Sequence, residues 1–360
     1  NNQSVEVLLE APKDSYSERS LLYGLEPLGK GTPRVESISS YICRLAASHN
    51  IKVSSLLIEL IYPHLSSYSY LKNIADKHIS GSSLLGIGKT SCDIVSALEI
   101  LTKRNDLIGL TLLNWSAILN LKLISKSKKW CSTCFKEMNM NGHIIYEPLI
   151  WQLKEINFCS KHLLPLQEVC INCKKKIPHY TSRMQLGFCP YCNTFLGEIV
   201  ESNIPIDCNI TDRQLSICRV YSQLLINNYT SLVPTKEAVR YFFVRLNNVN
   251  ESISYSQFAK NLKFSSDQVI TWFSGECRPP IAFWAVICKI IGASIDQLLI
   301  KQYNLDKLRP MLEKRIIKIE KRKFISNEQK QKLKSNLENY LKSGESNLSL
   351  LAFASTQGYT

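Results

Sequence analysis

Apolar residues recur at helical spacing on both sides of a cysteine-rich centre. In "TPRVESISSYICRLAASHNIKVSSLLIELI", Ile38, Ile42, Leu45 and His49 fall on one helical face. Val53, Leu56, Leu57 and Leu60 fall on the next, after a short turn. Pro33 suits a first helical turn. This stretch predicts helix, turn, helix, and Leu98 to Leu123, with Trp115, carries more of the same spacing. Residues 254–299, "SYSQFAKNLKFSSDQVITWFSGECRPPIAFWAVICKIIGASIDQLL", predict three further helices. Ser256 caps the first, which turns Phe258, Ala259 and Leu262 inward; Lys263 and Phe264 make a turn. Ser265 caps the second, Ser266 to Phe273, with Val269 and Trp272 inward and Gly275 as its stop. The third, Ile281 to Ile291, closes the core.

Between these flanks lie four two-ligand knuckles. They are "CSTC" (Cys131, Cys134), "CSKH" (Cys159, His162), "CINC" (Cys170, Cys173) and "CPYC" (Cys189, Cys192). A closed structural zinc site takes four ligands, so eight predict two structural zinc ions. Sequential pairing gives Cys131, Cys134, Cys159 and His162 to one ion, and Cys170, Cys173, Cys189 and Cys192 to the other. The second set reads C-x2-C-x15-C-x2-C, a zinc-ribbon spacing. The first encloses 24 residues that include "YEPLIWQLKEINF", expected as strand or helix packed on the knuckle. Interleaved pairing remains open, because only space decides it. The fold class expected is mainly α with small zinc-finger β elements.

Chemistry of other kinds finds little support. With every ligand position filled, neither ion keeps the open site that catalysis needs. His143 and His179 fit no ligand spacing and read as surface or neighbouring histidines. "LLGIGKTS" lacks the first glycine of a phosphate loop, since position 83 is Ser83. Gly86 and Gly88 instead punctuate a loop between helices. No acid pair or nucleophile–base set stands out, and no enzyme is expected.

Charge sharpens the picture. The 360 residues carry a formal net charge of +14, which favours a polyanionic partner. From Lys301 to Lys342, 13 Lys/Arg face 5 Asp/Glu, so over half of that excess sits in one segment. No run of about 18 uncharged apolar residues predicts a membrane span. Seven of the 13 cysteines lie in the knuckles and the rest are scattered, as suits a reducing compartment. The chain opens at Asn1 without methionine, so a preceding piece is expected.

The 254–299 stretch resembles the Cro-type helix-turn-helix, down to W-x-x-G-x-x-x-P and the final S-I-D-Q-L-L. The resemblance implies that Ser266, Asp267, Gln268 and Thr271 face a major groove, with Tyr255, Ser256 and Arg278 near phosphates. Asp267 departs from the pattern: it repels phosphate, though it can accept from a cytosine amine. Lys321, Arg322 and Lys323 are expected on phosphates too. "SLSLLAFASTQGYT" resembles the start of an AraC-type helix-turn-helix, with Phe353 for the usual valine, and is expected to continue beyond Thr360.

"GLEPLGKGTPRVESISSYICRLAASHN", "CSTC", "CSKHLLPLQEVCINC" and "CPYC" together resemble the TniQ/TnsD family of transposition target selectors, with Tyr41 for a familiar tryptophan. The resemblance covers residues 24–197. It implies a non-catalytic adaptor of Tn-seven-like or CRISPR-associated transposons in the bacterial cytoplasm, on the nucleoid. Its implied partners are double-stranded target DNA, a TnsC-like AAA+ ATPase and, indirectly, the transposase. The C-terminal readers favour a TnsD-like adaptor that binds an attachment site. The alternative is a TniQ adaptor docked on a CRISPR Cascade effector, and more remotely a zinc-containing transcription regulator. Arg34, Glu36, Arg44 and Lys52 are expected at the ATPase surface, as polar positions that tolerate change. The expected division is a tail (1–20), a helical TniQ-like domain (21–125), tandem zinc fingers (126–200), a linker helix (201–235), a Cro-like domain (236–305) and a basic segment opening a second reader (306–360).

Overall fold

The computed structural model describes residues 19–66, 81–182, 184–198, 210–229, 234–249 and 254–300, with positions 305, 331 and 335. The chain divides into two compact units, Asn1–Lys307 and Leu308–Thr360. In the second, only Gln331 and Ser335 are described, both helical and exposed. Lys321, Arg322, Lys323 and the AraC-like stretch lie outside the described residues. The first unit is mainly helical, and its described strand pairing is confined to isolated bridges.

Helix α1 (Ile38–Ser48) begins where the Ser37 hydroxyl accepts from the Ser40 amide, an N-cap that satisfies a free donor. Ile38, Tyr41, Ile42, Leu45 and Ala46 are buried along it. Glu36, just before the cap, is 0% exposed. Arg44 grips its two carboxylate oxygens at 2.8 and 2.7 Å, and the Ser40 hydroxyl donates to it at 2.8 Å. The expectation that Glu36 and Arg44 form a tolerant, partner-facing surface is therefore corrected. Glu36 cannot reach a partner, and Arg44 is spent on neutralising it. A charge read as surface in the sequence is here the staple of a helix start.

A left-handed residue, Asn50, leads into the short α2 (Val53–Ser55), which widens into a π-turn over Leu56–Ile61 and ends at Pro63. Helix α3 (Gly81–Leu85), a bend at residues 86–88 and α4 (Lys89–Thr102) follow. Gly86 and Gly88 thus lie in a loop between helices, as expected. The helical spacing of Leu98 to Leu123 is not one helix. The chain leaves α4 at Lys103 (φ 53°), and Arg104 clamps Asp106 at 2.8 Å. The Glu99 carboxylate accepts from the Leu107 and Ile108 amides, starting a tight 3-10 turn, Leu107–Leu110. The apolar spacing reports burial of Leu107, Leu110, Trp115 and Ile118, which short turns achieve as well as a helix does.

Helix α5 (Ser132–Met140) opens the cysteine-rich region. The "YEPLIWQLKEINF" insert forms a 3-10 turn, Leu149–Gln152, whose side chains are all buried. It is stitched to the start of α1: Ser37 N donates to Glu147 O, Leu149 N to Val35 O, and Glu147 N to the Ser40 hydroxyl. The Glu147 carboxylate meets Lys128 at 2.8 Å, with both side chains buried. Helical module and first knuckle therefore share a core.

Helix α6 (Asp212–Ile226) starts with a Thr211/Gln214 capping box. It packs against the turns of the N-terminal part: Trp115 Nε1 donates to Leu224 O, and Asn228 Nδ2 to Gly109 O. Gly109 leaves no room for a Cβ, because the Tyr229 ring occupies that space. Helix α7 (Lys236–Val249), α8 (Tyr255–Leu262), α9 (Ser266–Phe273), α10 (Ile281–Ile291) and α11 (Ile295–Ile300) surround Phe242, Phe258, Val269, Trp272, Phe283 and Trp284. The cap of α8 is Ser254, not Ser256, which sits exposed in the first turn. Ser265 caps α9 as expected. The long face of α10 packs on α6, so these C-terminal helices rest on the same body as the N-terminal ones.

Candidate metal centres and nucleic-acid interface

Three of the four knuckles are the same local structure. At Cys159, Cys170 and Cys189 the backbone N–H donates to a carbonyl five residues on, at 2.8, 3.0 and 2.9 Å. Each also accepts from the residue four on: Leu163, Lys174 or Asn193. Those three residues have φ of 55°, 58° and 57°, the left-handed turn that brings two ligands to one point. The knuckle of Cys131 and Cys134 differs. Cys131 is the N-cap of α5 and Cys134 lies in its first turn.

Folding gathers the eight side chains into two sets: Cys131, Cys134, Cys159 and His162; and Cys170, Cys173, Cys189 and Cys192. Within each set the ligand atoms lie within 4.8 Å of one another. In the first, His162 Nδ1 is 3.4, 3.3 and 3.7 Å from the sulfurs of Cys131, Cys134 and Cys159. In the second, Cys170 to Cys192 and Cys173 to Cys189 are each 3.6 Å apart. Donors about 2.3 Å from one tetrahedral ion sit about 3.7 Å apart, so both sets are compatible with zinc-binding sites.

The surroundings of the first set have little signal in the sequence. His162 Nε2 lies 2.9 Å from a Glu137 carboxylate oxygen, and Lys161 pairs with the other. A carboxylate behind a histidine fixes its tautomer, leaving Nδ1 free for an ion. Arg34 Nη2 donates to the Cys134 sulfur at 3.2 Å, with the guanidinium over the Trp151 ring. Arg34, expected at a partner surface, thus also supports a ligand. Glu137 follows Cys134 by about one helical turn, which is its only sequence signal. The second set has a lighter surround: the Thr194 hydroxyl lies 3.2 Å from the Cys192 sulfur, and Lys175 lies over Tyr191. His143 is exposed. His179 is buried instead, against the surface reading, and its Nε2–H donates to Ser125 O at 2.8 Å.

At the helix-turn-helix, Asp267 and Gln268 are exposed on α9, with Ser266 and Thr271 half-buried beside them. Ile270, overlooked in the sequence, shares that face at 47% exposure. Exposed Tyr255 sets its ring at a tilt against Phe273, 5.0 Å between centroids. Arg278 points back into the body and donates to Leu119 O at 3.1 Å. Lys52 is exposed.

A TniQ family model matches residues 27–166. The chain carries a TniQ domain. The TniQ match runs from before α1 through His162 and ends ahead of Cys170, so it takes in the first metal centre and not the second. TniQ is a family of non-catalytic, transposition-associated adaptors. No curated protein matches the chain. Among the described residues, no helix is long and apolar enough to cross a membrane.

Proposed function

We propose that this chain is a target-selection adaptor for DNA transposition, of the TnsD-like kind. It catalyses nothing. It reads an attachment site in duplex DNA and recruits a TnsC-like AAA+ ATPase, which the transposase follows, in the bacterial cytoplasm. Two zinc ions are structural: each stabilises one finger and takes no part in chemistry. The observation that carries this reading is a TniQ domain sharing a folded unit with a helix-turn-helix. The α9 face of that reader is open to solvent at Asp267, Gln268 and Ile270. Residues 236–305 serve as the DNA reader, Lys321, Arg322 and Lys323 add phosphate contacts, and residues 21–125 meet the ATPase through Arg34, Lys52 and their neighbours.

The second reading, an adaptor docked on an RNA-guided Cascade complex, has one observation in its favour. Helix α9 carries Asp267 and no Lys or Arg, and Arg278 is engaged within the body. The two readings separate in one experiment. Purified protein is used to select duplexes from a random pool at moderate salt, in parallel with a pull-down on a Cascade complex. An enriched motif that Gln268→Ala or Thr271→Ala erases supports the TnsD-like reading. Cascade capture without any enriched motif overturns it.

A further inference from the structure

A recess of about 510 Å³ opens beside the body that carries the reader, and three lysines converge on it. Ile124 lies buried beneath it, and exposed Leu121 lines it with Lys122, Lys126 and Lys154. The convergence has a backbone cause. Ile124 bridges antiparallel to Leu153, with Ser125 N donating to Gln152 O at 2.9 Å and Lys154 N to Leu123 O at 2.8 Å. That pairing sets Lys154 opposite Leu123, beside Lys122, and all three lysines line the same recess. All three are exposed, and no carboxylate lines the recess. Lys128 and Lys129, a few residues further on, are buried and engaged: one pairs with Glu147, the other donates to Leu153 O. The three exposed lysines thus stand as an uncompensated cationic cluster, whose mutual repulsion a polyanion relieves.

The recess is mechanically joined to the reader. Arg278 Nη1 donates to Leu119 O at 3.1 Å, and Asn120 Nδ2 to Pro279 O at 3.4 Å. Cys277 N in turn donates to Thr271 O at 3.1 Å, at the end of α9. Following those bonds at about 3.8 Å per residue, Lys122 lies no more than about 30 Å from Thr271. One turn of duplex spans about 34 Å. We propose that Lys122, Lys126 and Lys154 hold the phosphate backbone of duplex DNA within one helical turn of the bases that face α9. The inference rests on the DNA-reading function proposed above. It adds that the N-terminal body, and not only the helix-turn-helix, grips DNA. The Arg278–Leu119 bond then has a use: it fixes the register between base reader and phosphate grip.

The test uses the full chain and a duplex selected by it from a random pool. Exchanging all three lysines for Gln is expected to weaken cognate and random duplexes alike, by roughly tenfold or more. The slope of log affinity against log salt should become shallower by about two to three, at about 0.9 for each phosphate no longer neutralised. The preference for cognate over random duplex should stay unchanged. Gln268→Ala with Thr271→Ala should do the reverse, losing preference and keeping the slope. Phosphate ethylation should interfere within one turn of the read bases, and that signal should vanish in the triple variant. A triple variant that retains two metal ions per chain, full affinity and the original slope overturns the grip and leaves the reader standing. Wild-type protein that binds no duplex overturns both. Intact DNA binding with lost ATPase or Cascade capture assigns the lysines to a protein surface and likewise overturns the grip.

Discussion

The first metal centre is built half on a helix start and half on a turn, whereas the second is two copies of one turn. In the first, Cys131, Cys134 and Cys159 are buried; in the second, Cys173 and Cys192 are half-exposed. The first is held from behind by Arg34 on Cys134 and Glu137 on His162. It lies within the TniQ match and shares its core with α1 through Trp151 and Glu147. The second is framed by short bonds such as Asn172 to Thr194. Equal ligand counts thus hide unequal roles. The first set of ligands is built into a shared core, while the second is framed mainly by its own turns. Ligand spacing cannot separate these cases, and what stands behind the ligands can.

The largest effect should come from breaking the first centre. Cys134→Ala should lose one metal ion of two and unfold the 27–166 region, because the ligand is packed under Arg34 and Trp151. Structural zinc contributes on the order of 10 kcal/mol to small domains, comparable to the stability of a whole fold. Cys173→Ala should also lose one ion but leave that region folded. Elemental analysis with hydrogen exchange on each variant checks the contrast. Equal unfolding of residues 27–166 in both would erase the distinction.

The legible parts of the chain are those where one physical signal acts alone. Ser265 as a cap, Ile281–Ile291 as a helix and the knuckle spacings follow from local rules. Where two signals compete, the stronger one is hidden. The 98–123 apolar spacing suggests helix, but Glu99 and Arg104 organise tight turns that bury the same leucines. Glu36 and Arg44 read as surface because periodicity counts charge as exposed, yet their ion pair satisfies both inside. Glu137 and Lys128 are invisible for a related reason: their partners come from distant segments.

The Glu36–Arg44 pair yields the next effect in size. Arg44→Ala strands the Glu36 carboxylate without its cation, and such losses cost about 3–5 kcal/mol. Lys52→Ala, at an exposed position, should stay within about 0.5 kcal/mol. Chemical denaturation of both variants reads the difference. A stable Arg44→Ala protein would show that the core shared with the first centre does not need this pair.

A smaller effect should follow from loosening the first centre without removing a ligand. Glu137→Gln keeps the shape and loses the charge that orients His162. Removing such a partner weakens metal affinity by about 10- to 100-fold. Competition with a chromophoric chelator should show one weakened site and one unchanged. Nitrogen shifts of His162 should report a less uniform tautomer. Two unchanged sites would mean that the carboxylate is a bystander.

The smallest expected effect concerns how the second centre is moored. Between its two knuckles, Ile177 O accepts from Lys128 N at 2.8 Å, and His179 donates to Ser125 O at 2.8 Å. His179 is 3% exposed, and its Nδ1 is buried with no hydrogen-bond partner. Burial pushes its pKa down from 6.5 to about 4, with Lys128 and Lys129 adding to the shift. Between those values the unfolded chain binds a proton that the folded chain refuses, so stability rises with pH there and falls on acidification. Between pH 7 and pH 5.5 the loss should be about 1 kcal/mol. Thiolate ligands respond to acid as well, so the informative quantity is the difference from His179→Gln, which keeps a donor and cannot titrate. That difference should grow by about 1 kcal/mol as pH rises from 5.5 to 7, in favour of wild type. Hydrogen exchange should place the acid-induced opening at residues 170–192 and spare those around Cys134. A flat difference, or opening that begins at the first centre, would mean that the mooring of the second centre is not set by this histidine.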